Sequence, residues 1–269
     1  MSESAETIKT TIYLVRHGEC KANLGDTHLP PDLDVLTEKG KLQAAAFGKH
    51  FHDVEFTRAY ASTYPRAIDT ATEILANLDG NGKPELKQDS RIREREMGIY
   101  ENRPMFDLWD DLFAAAKTGT KLLDFEVEGG ESVASLEERI SSFIMELLES
   151  IQQSKKSETI LIVSHGVIIM RMMFKLRAFS KDPTKLITLN SWDAKKIATA
   201  IKNTGYHLIT VDVPKEGNGN KVLDIAKLHQ SSHLETLSSG ATAAKTPSKE
   251  YLRIAATFEE LVNEQCITH

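Results

Sequence analysis

Two histidines and two arginines in this chain have the residue types and the contexts that phosphoryl transfer demands. His17 follows Arg16 where the apolar run Thr11-Ile-Tyr-Leu-Val15 ends, and His165 stands where a second run, Thr159-Ile-Leu-Ile-Val163, gives way to Ser164-His165-Gly166. A neutral imidazole is a good nucleophile near pH 7 and phosphohistidine hydrolyses readily, which makes His17 a candidate covalent carrier. Moving a phosphoryl group also needs cations for the equatorial oxygens and an acid for the leaving oxygen. Arg16 and Arg66 can fork onto phosphate oxygens. Arg66 follows Pro65 at a predicted helix start, where the helix N-terminal turn favours an anion. A protonated His165 would add one more donor to the same anion.

The elements that must position these groups alternate. A strand ending at Val15 leads to a helix after the N-cap residue Thr37, with Gly40, Ala44, Phe47 and Phe51 on one face. A strand over 57–62 precedes a helix opened by Pro65, with Ile68, Ala71, Leu75 and Leu78 in line. Met105 to Ala116 reads as helix, 117–131 as a polar insertion, and Val133 to Ile151 as a long helix with Ser135 and Glu138 as its capping box. Thr159–Val163 is the most strand-like run. Residues 206–213 and 221–228, around Gly217-Asn-Gly219, read as a hairpin on the sheet edge. Such an order predicts an α/β three-layer sandwich whose mostly parallel sheet is flanked by helices, with ligands beyond the carboxyl ends of the strands. Both histidines fall there.

Composition sets outer bounds. The chain has 269 residues, 41% hydrophobic and 27% charged, which is enough for a packed core without metals or disulfides. A net charge of −6 argues against nucleic acid as a partner. No stretch approaches a membrane span and no export signal is visible, so no membrane partner is expected. Two cysteines, Cys20 and Cys266, are too few for a disulfide framework and point to a reducing, cytoplasmic setting. A catalytic domain is expected over 9–228, a Ser/Thr/Ala-rich linker over 235–248 and an amphipathic helix over 249–265, with Tyr251, Ile254, Phe258 and Leu261 on one side. That helix either docks a protein partner or completes the core. His50 and His52 lie two apart on a helix, facing nearly opposite sides, and are expected to hold no metal.

Taken in order, Leu14-Val-Arg-His-Gly-Glu19 with Asn23, then Ser62 through Arg66 to Thr70, then Glu94, then Ser164-His-Gly166 resemble the histidine phosphatase (phosphoglycerate mutase-like) superfamily. The resemblance implies the phosphoglycerate mutase-like fold. It makes His17 the phosphorylated residue, puts Arg16, Arg66 and His165 with Gly166 in the phosphate pocket, and matches Asn23 to a phosphate contact and Glu94 to the proton donor. The implied activity is a phosphatase needing neither metal nor other cofactor and acting on a small phosphorylated metabolite. Arg91-Ile-Arg-Glu-Arg95 with Gly98, Gly129-Gly-Glu-Ser132 and Asn203-Thr-Gly205 look like the TIGAR-type fructose-2,6-bisphosphatases, which implies a sugar bisphosphate such as fructose 2,6-bisphosphate or a bisphosphoglycerate. The stretch matching the family's lid carries Asp107, Asp110 and Asp111 where mutases carry an arginine pair, which favours hydrolysis. Alternatives are a phosphoglycerate mutase, a phosphoprotein phosphatase, or a silent binding protein, whose expected loss of catalytic residues is not seen. Cys20 stands where the family has Ser or Thr, and the usual Gln-Gly after Asn23 is missing. Cations beside Cys20 would make it a redox-sensitive thiolate, whereas packing under the following loop would leave it inert.

Overall fold

The structure is a computed structural model that describes residues 6–24, 27–80, 82–217 and 219–237. The expected C-terminal helix, Cys266 and most of the expected linker lie outside the described residues. Seven strands form one mixed sheet: β1 (Thr7–Arg16), β2 (Arg58–Ala61), β3 (Leu86–Gln88), β4 (Thr159–Ser164), β5 (Ile187–Leu189), β6 (Tyr206–Pro214) and β7 (Lys221–Gln230). Their order is β3-β2-β4-β1-β6-β7-β5. From β3 to β1 all neighbours are parallel, β6 runs antiparallel to both β1 and β7, and β5 is parallel to β7. The helices are α1 (Lys21–Leu24), α2 (Glu38–His50), α3 (Pro65–Ala76), α4 (Met105–Lys117), α5 (Val133–Ser154), α6 (Gly166–Lys181) and α7 (Ala194–Ala198). Among the described residues no helix is long and apolar enough to cross a membrane.

Strand side chains alternate between faces, so a strand covered on both sides must be apolar at every position. β4 obeys this. Ile160 and Ile162 join α5 and α6 in one core, while Leu161 and Val163 join α2 and α3 in the other. Each fully buried aliphatic side chain contributes about 1.5–3 kcal/mol of transfer free energy, which makes the two cores the main stabilising term. A third, smaller cluster packs Leu108 and Leu112 of α4 with Tyr100, Val127 and Ala198. The 117–131 insertion is therefore not simply polar, since Phe125 and Val127 pack there and Leu123 touches the main core.

Two expectations change in detail. The hairpin of β6 and β7 exists, but β6 lies inside the sheet against β1 and the three-residue β5 takes the edge. The N-cap of α5 is Ser132, whose Oγ accepts from Ser135 N at 3.2 Å, so Ser135 and Glu138 lie inside the helix. Helix entry is fixed three residues early because Glu126 Oε1 and Oε2 accept from Val133 N at 3.1 and 3.0 Å. Thr37 caps α2 as expected, accepting from Gly40 N at 3.0 Å. His50 ends α2 while His52 pairs with Asp79 at 2.7 Å, so the two do not share a site.

Regular structure continues past residue 228. β7 runs to Gln230, and a 3-10 turn over Ser232–Leu237 packs on α2. Its His233 is buried against the rings of Phe47 and Tyr206, and its Nε2 is 2.9 Å from Thr204 Oγ1. Ending the chain at Gln230 should uncover these aromatics and lower the melting temperature by about 5–10 °C, as expected for a loss of a few kcal/mol in a domain this size. Thermal melts of chains ending at 230 and 237 check this; equal melting temperatures would show that the turn adds nothing.

Candidate active site

Parallel neighbours deliver both histidines. β1 and β4 pair Val15 with Val163 and Arg16 with Ser164, so the two strands end level. His17 N donates to Ser164 O at 2.9 Å, and the centroids of the His17 and His165 rings stand 5.2 Å apart. Gly18 N donates to Thr70 Oγ1 at 2.9 Å, and Thr70 Oγ1 donates to Arg66 O at 2.6 Å, tying the histidine loop to the first turns of α3. Glycines are needed where this loop meets α2: a Cβ on Gly40 would lie 2.0 Å from Glu19 O, and one on Gly18 2.6 Å from Gly40 O.

On the other flank, residues 201–205 cradle Arg16 and His17. Arg16 Nη1 donates to Ile201 O at 2.6 Å. Thr204 N reaches Arg16 O and His17 O at 3.1 and 3.2 Å, and Asn203 Nδ2 donates to His17 O at 3.1 Å and to Asn23 Oδ1 at 3.0 Å. Thr204 adopts φ +53°, a left-handed conformation that costs a threonine on the order of 1 kcal/mol. Its contact with His233 helps hold it there.

Hydrogen bonding fixes the His17 tautomer. Nδ1 lies 2.7 Å from Gly18 O and must donate to it, which leaves the Nε2 lone pair to accept from Arg66 Nε at 3.3 Å. Burial first, and then the charges of Arg66 and Arg16, hold His17 well below the ordinary imidazole range. It is thus held neutral near pH 7, with the Nε2 lone pair available. Arg66 is itself buried and pairs with the buried Asp34, Nη1 to Oδ2 at 3.3 Å.

His165 shares a 2.8 Å hydrogen bond between Nε2 and Ser62 Oγ, while its buried Nδ1 has no partner among the described residues. Burial, followed by Arg66, His17 and Arg16, also holds it well below the usual range. The protonated His165 expected from the sequence is therefore replaced by a neutral ring whose donor depends on its tautomer. Gly166 is the first residue of α6 beside the Arg16 guanidinium, where a Cβ would sit at an ordinary 3.6 Å from Arg16 Nε, so space alone does not demand glycine.

Glu94 lies in the segment between the 3-10 turns Ser90–Ile92 and Gly98–Tyr100, and its Oε1 accepts from Arg95 N at 3.0 Å. Desolvation raises its carboxyl above the ordinary range against the opposing pull of Arg95 N, Arg66, Arg139 and Arg16. The same two arginines that depress His17 therefore face Glu94. Asn23 is exposed, and its Oδ1 accepts from Cys20 N at 3.1 Å and from Asn203 Nδ2 at 3.0 Å, with Cys20 Sγ 3.2 Å away. Only its Nδ2 is left to meet a phosphate. Among the described residues no cluster of three His, Cys, Asp or Glu side chains could hold a metal ion.

Cys20 departs from the redox expectation. Its Sγ donates to Asp34 Oδ2 at 3.3 Å, and burial together with Asp34 pushes the thiol up to about 12. At pH 7 the group is held as the thiol, which removes the thiolate that a peroxide sensor needs. Asp34 is what the sequence concealed, because it turns an apparently electropositive neighbourhood into a hydrogen-bonded, acidic one. Wild type and Cys20→Ser should lose activity to peroxide at the same rate; faster loss in the wild type would reinstate the sensor.

A sheet flanked by helices, with two neutral histidines at level strand ends and arginines around them, is the architecture of a protein that handles phosphoryl groups. The chain belongs to the histidine phosphatase superfamily (branch 1), which matches residues 12–194. It is 33% identical over 139 residues to fructose-2,6-bisphosphatase TIGAR B of Danio rerio, a match that covers 51% of this chain and about half, 53%, of that relative. It is 32% identical over 161 residues to "Probable phosphoglycerate mutase GpmB" of Salmonella choleraesuis, covering 59% of this chain and 70% of the other. Among solved structures, phosphoglycerate mutase from Bacillus anthracis superposes with a TM-score of 0.66 at 22% identity, over 85% of this chain and 96% of that one. That likeness establishes the phosphoglycerate mutase-like fold.

Proposed function

We propose that the chain is a phosphatase that takes the phosphoryl group of a small phosphorylated metabolite onto His17 Nε2 and passes it to water. The observation that carries this reading is the His17 tautomer, with Nδ1–H tied to Gly18 O and the Nε2 lone pair aimed at Arg66. In the first step the Nε2 lone pair forms the N–P bond as the ester O–P bond breaks, and protonated Glu94 gives its proton to the leaving oxygen. Arg16 and Arg66 neutralise the equatorial oxygens, with Asn23 Nδ2, the Gly166 N–H and a donor on His165 Nδ1 completing the cradle. In the second step the Glu94 carboxylate takes a proton from water as the water oxygen attacks phosphorus, which returns neutral His17 and releases phosphate.

Hydrolysis is favoured over mutase chemistry by α4, whose charged residues are Asp107, Asp110 and Asp111 and, at its last position, Lys117, so it has no arginine pair to hold a second acid group. A sugar bisphosphate such as fructose 2,6-bisphosphate is supported by the name of the zebrafish relative and by the Arg91–Arg95 and Gly129–Ser132 motifs; a bisphosphoglycerate is the next candidate. Incubation with sugar bisphosphates, phosphoglycerates and phosphopeptides, following both free phosphate and phosphoglycerate isomerisation, tests it. Isomerisation faster than phosphate release would make the chain a mutase.

A further inference from the structure

α5 carries a buried arginine that the phosphoryl chemistry leaves unused. Arg139 is gripped by Glu131 in a fork, Nε to Oε1 at 2.7 Å and Nη2 to Oε2 at 2.8 Å, with the side chains only 11% and 5% exposed. Its other contacts reach the segment that bears Glu94: Nη1 donates to Arg91 O at 2.6 Å, and Nη2 lies 3.5 Å from Glu94 O. Neighbouring carbonyls are pinned as well, Ile92 O by Ser164 Oγ at 2.8 Å and Glu96 O by Glu131 N at 3.2 Å. Arg95 adds two ties to the insertion, Nε to Glu131 O at 2.8 Å and Nη1 to Phe125 O at 2.7 Å.

This part of the segment lies outside any strand ladder, so these side-chain and insertion contacts are what hold it. A buried ion pair often adds little net stability, because its desolvation cost offsets its attraction. Its retention here is accounted for by what it holds. We propose that Arg139, locked by Glu131, is the positioning residue that fixes the Glu94 carboxyl at the leaving oxygen. The proposal rests on the reading of Glu94 as the acid given above.

Charge supplies a second consequence. The groups facing Glu94 are Arg66 on α3, Arg16 at the end of β1, Arg139 on α5, Arg95 beside it and Tyr64 ahead of α3. Of these, Arg139 has its charge balanced by Glu131. Arg139→Gln removes a cation that lowers the Glu94 pKa, so the pKa rises; Glu131→Gln leaves that cation unbalanced, so the pKa falls. Opposite movement of the two variants would show that the charge of the pair reaches Glu94, while the positioning role itself is read from the leaving-group selectivity.

The test measures phosphoenzyme formation against pH with 4-nitrophenyl phosphate and with whichever bisphosphate of the substrate panel is turned over fastest, using Glu94→Gln as the reference. Arg139→Gln should slow the alkyl ester about tenfold or more beyond the aryl ester, because only the poor leaving group needs the acid. The alkaline limb should move up in Arg139→Gln and down in Glu131→Gln. Arg139→Lys should restore the limb but only part of the rate, since lysine keeps the charge and loses the fork. The double variant Glu131→Gln/Arg139→Gln leaves no lone buried charge and should fold while keeping the selective rate loss. Equal slowing of both esters in the arginine variants, beside a selective Glu94→Gln, would overturn the positioning role. A Glu94→Gln without selectivity would instead remove the acid reading, and this proposal with it.

Discussion

Replacing His17 with alanine is expected to abolish phosphoenzyme labelling and turnover together, by a factor of at least about 10⁴. The size follows from the covalent reading proposed above, in which Nε2 is the nucleophile and no second side chain takes its place on the same strand end. His165 is the nearest candidate, with its ring 5.2 Å away and its Nε2 committed to Ser62. The variant should fold, because the backbone contacts of residue 17 to Ser164 and Thr204 do not involve the imidazole. Absence of label after an alkaline quench, which an N–P bond survives, should also distinguish the variant from a merely slow enzyme. Activity in His17→Ala within tenfold of wild type would end the covalent reading, and loss of wild-type activity in EDTA would contradict metal independence.

Glu94→Gln should show the second large effect, a loss of about 10²–10⁴ in the first step for an alkyl phosphate, the range that positioned acid catalysis supplies. An aryl phosphate, whose leaving oxygen needs no proton, should lose far less. Sign matters for pH. The acid acts when protonated and its pKa is raised, so phosphoenzyme formation should fall as pH rises through that value. Hydrolysis of the phosphoenzyme needs the carboxylate, so it should fall as pH drops through the value the group has in that intermediate. Both limbs should vanish in Glu94→Gln. His17 does not cut in from the acid side until well below the usual imidazole range, because its own pKa is depressed. A pH profile unchanged by Glu94→Gln would count against the acid role.

The sequence revealed what is written locally and concealed what long-range packing decides. β4 was legible because a strand buried on both faces reads as an apolar run, and the second half of β1 because Ile12 to Val15 is apolar; each strand is followed directly by a histidine. β3 and β5, three residues each, are too short to show a period. His17, Arg66 and His165 could be found from their contexts, and the structure brings them together. Asp34, Asn203, Glu131 and Arg139 could not be assigned roles, since their contacts to Arg66, to the His17 carbonyl and to the Glu94 segment join separate elements. Of the two readings of Cys20 the packed, inert one holds, and what decides it, the approach of Asp34, was not visible in the sequence. The helix cap was placed three residues late because Ser135 and Glu138 imitate a capping box that Ser132 already supplies.

The cradle of residues 201–205 around His17 also bears on the order in which the molecule matures. Asn203 meets a carbonyl 186 positions earlier in the chain, so His17 is held by a long-range loop closure. Loop entropy makes such contacts late to form, and parallel strands joined through intervening helices are slow for the same reason. A nascent chain that has already released β1, β4 and both histidines still lacks the grip on Arg16 and His17 until Gly205 has emerged. The hold on Arg16 and His17 in this fold is thus a property of the completed chain order, acquired when the antiparallel β6 closes against β1, and not of the parallel half alone.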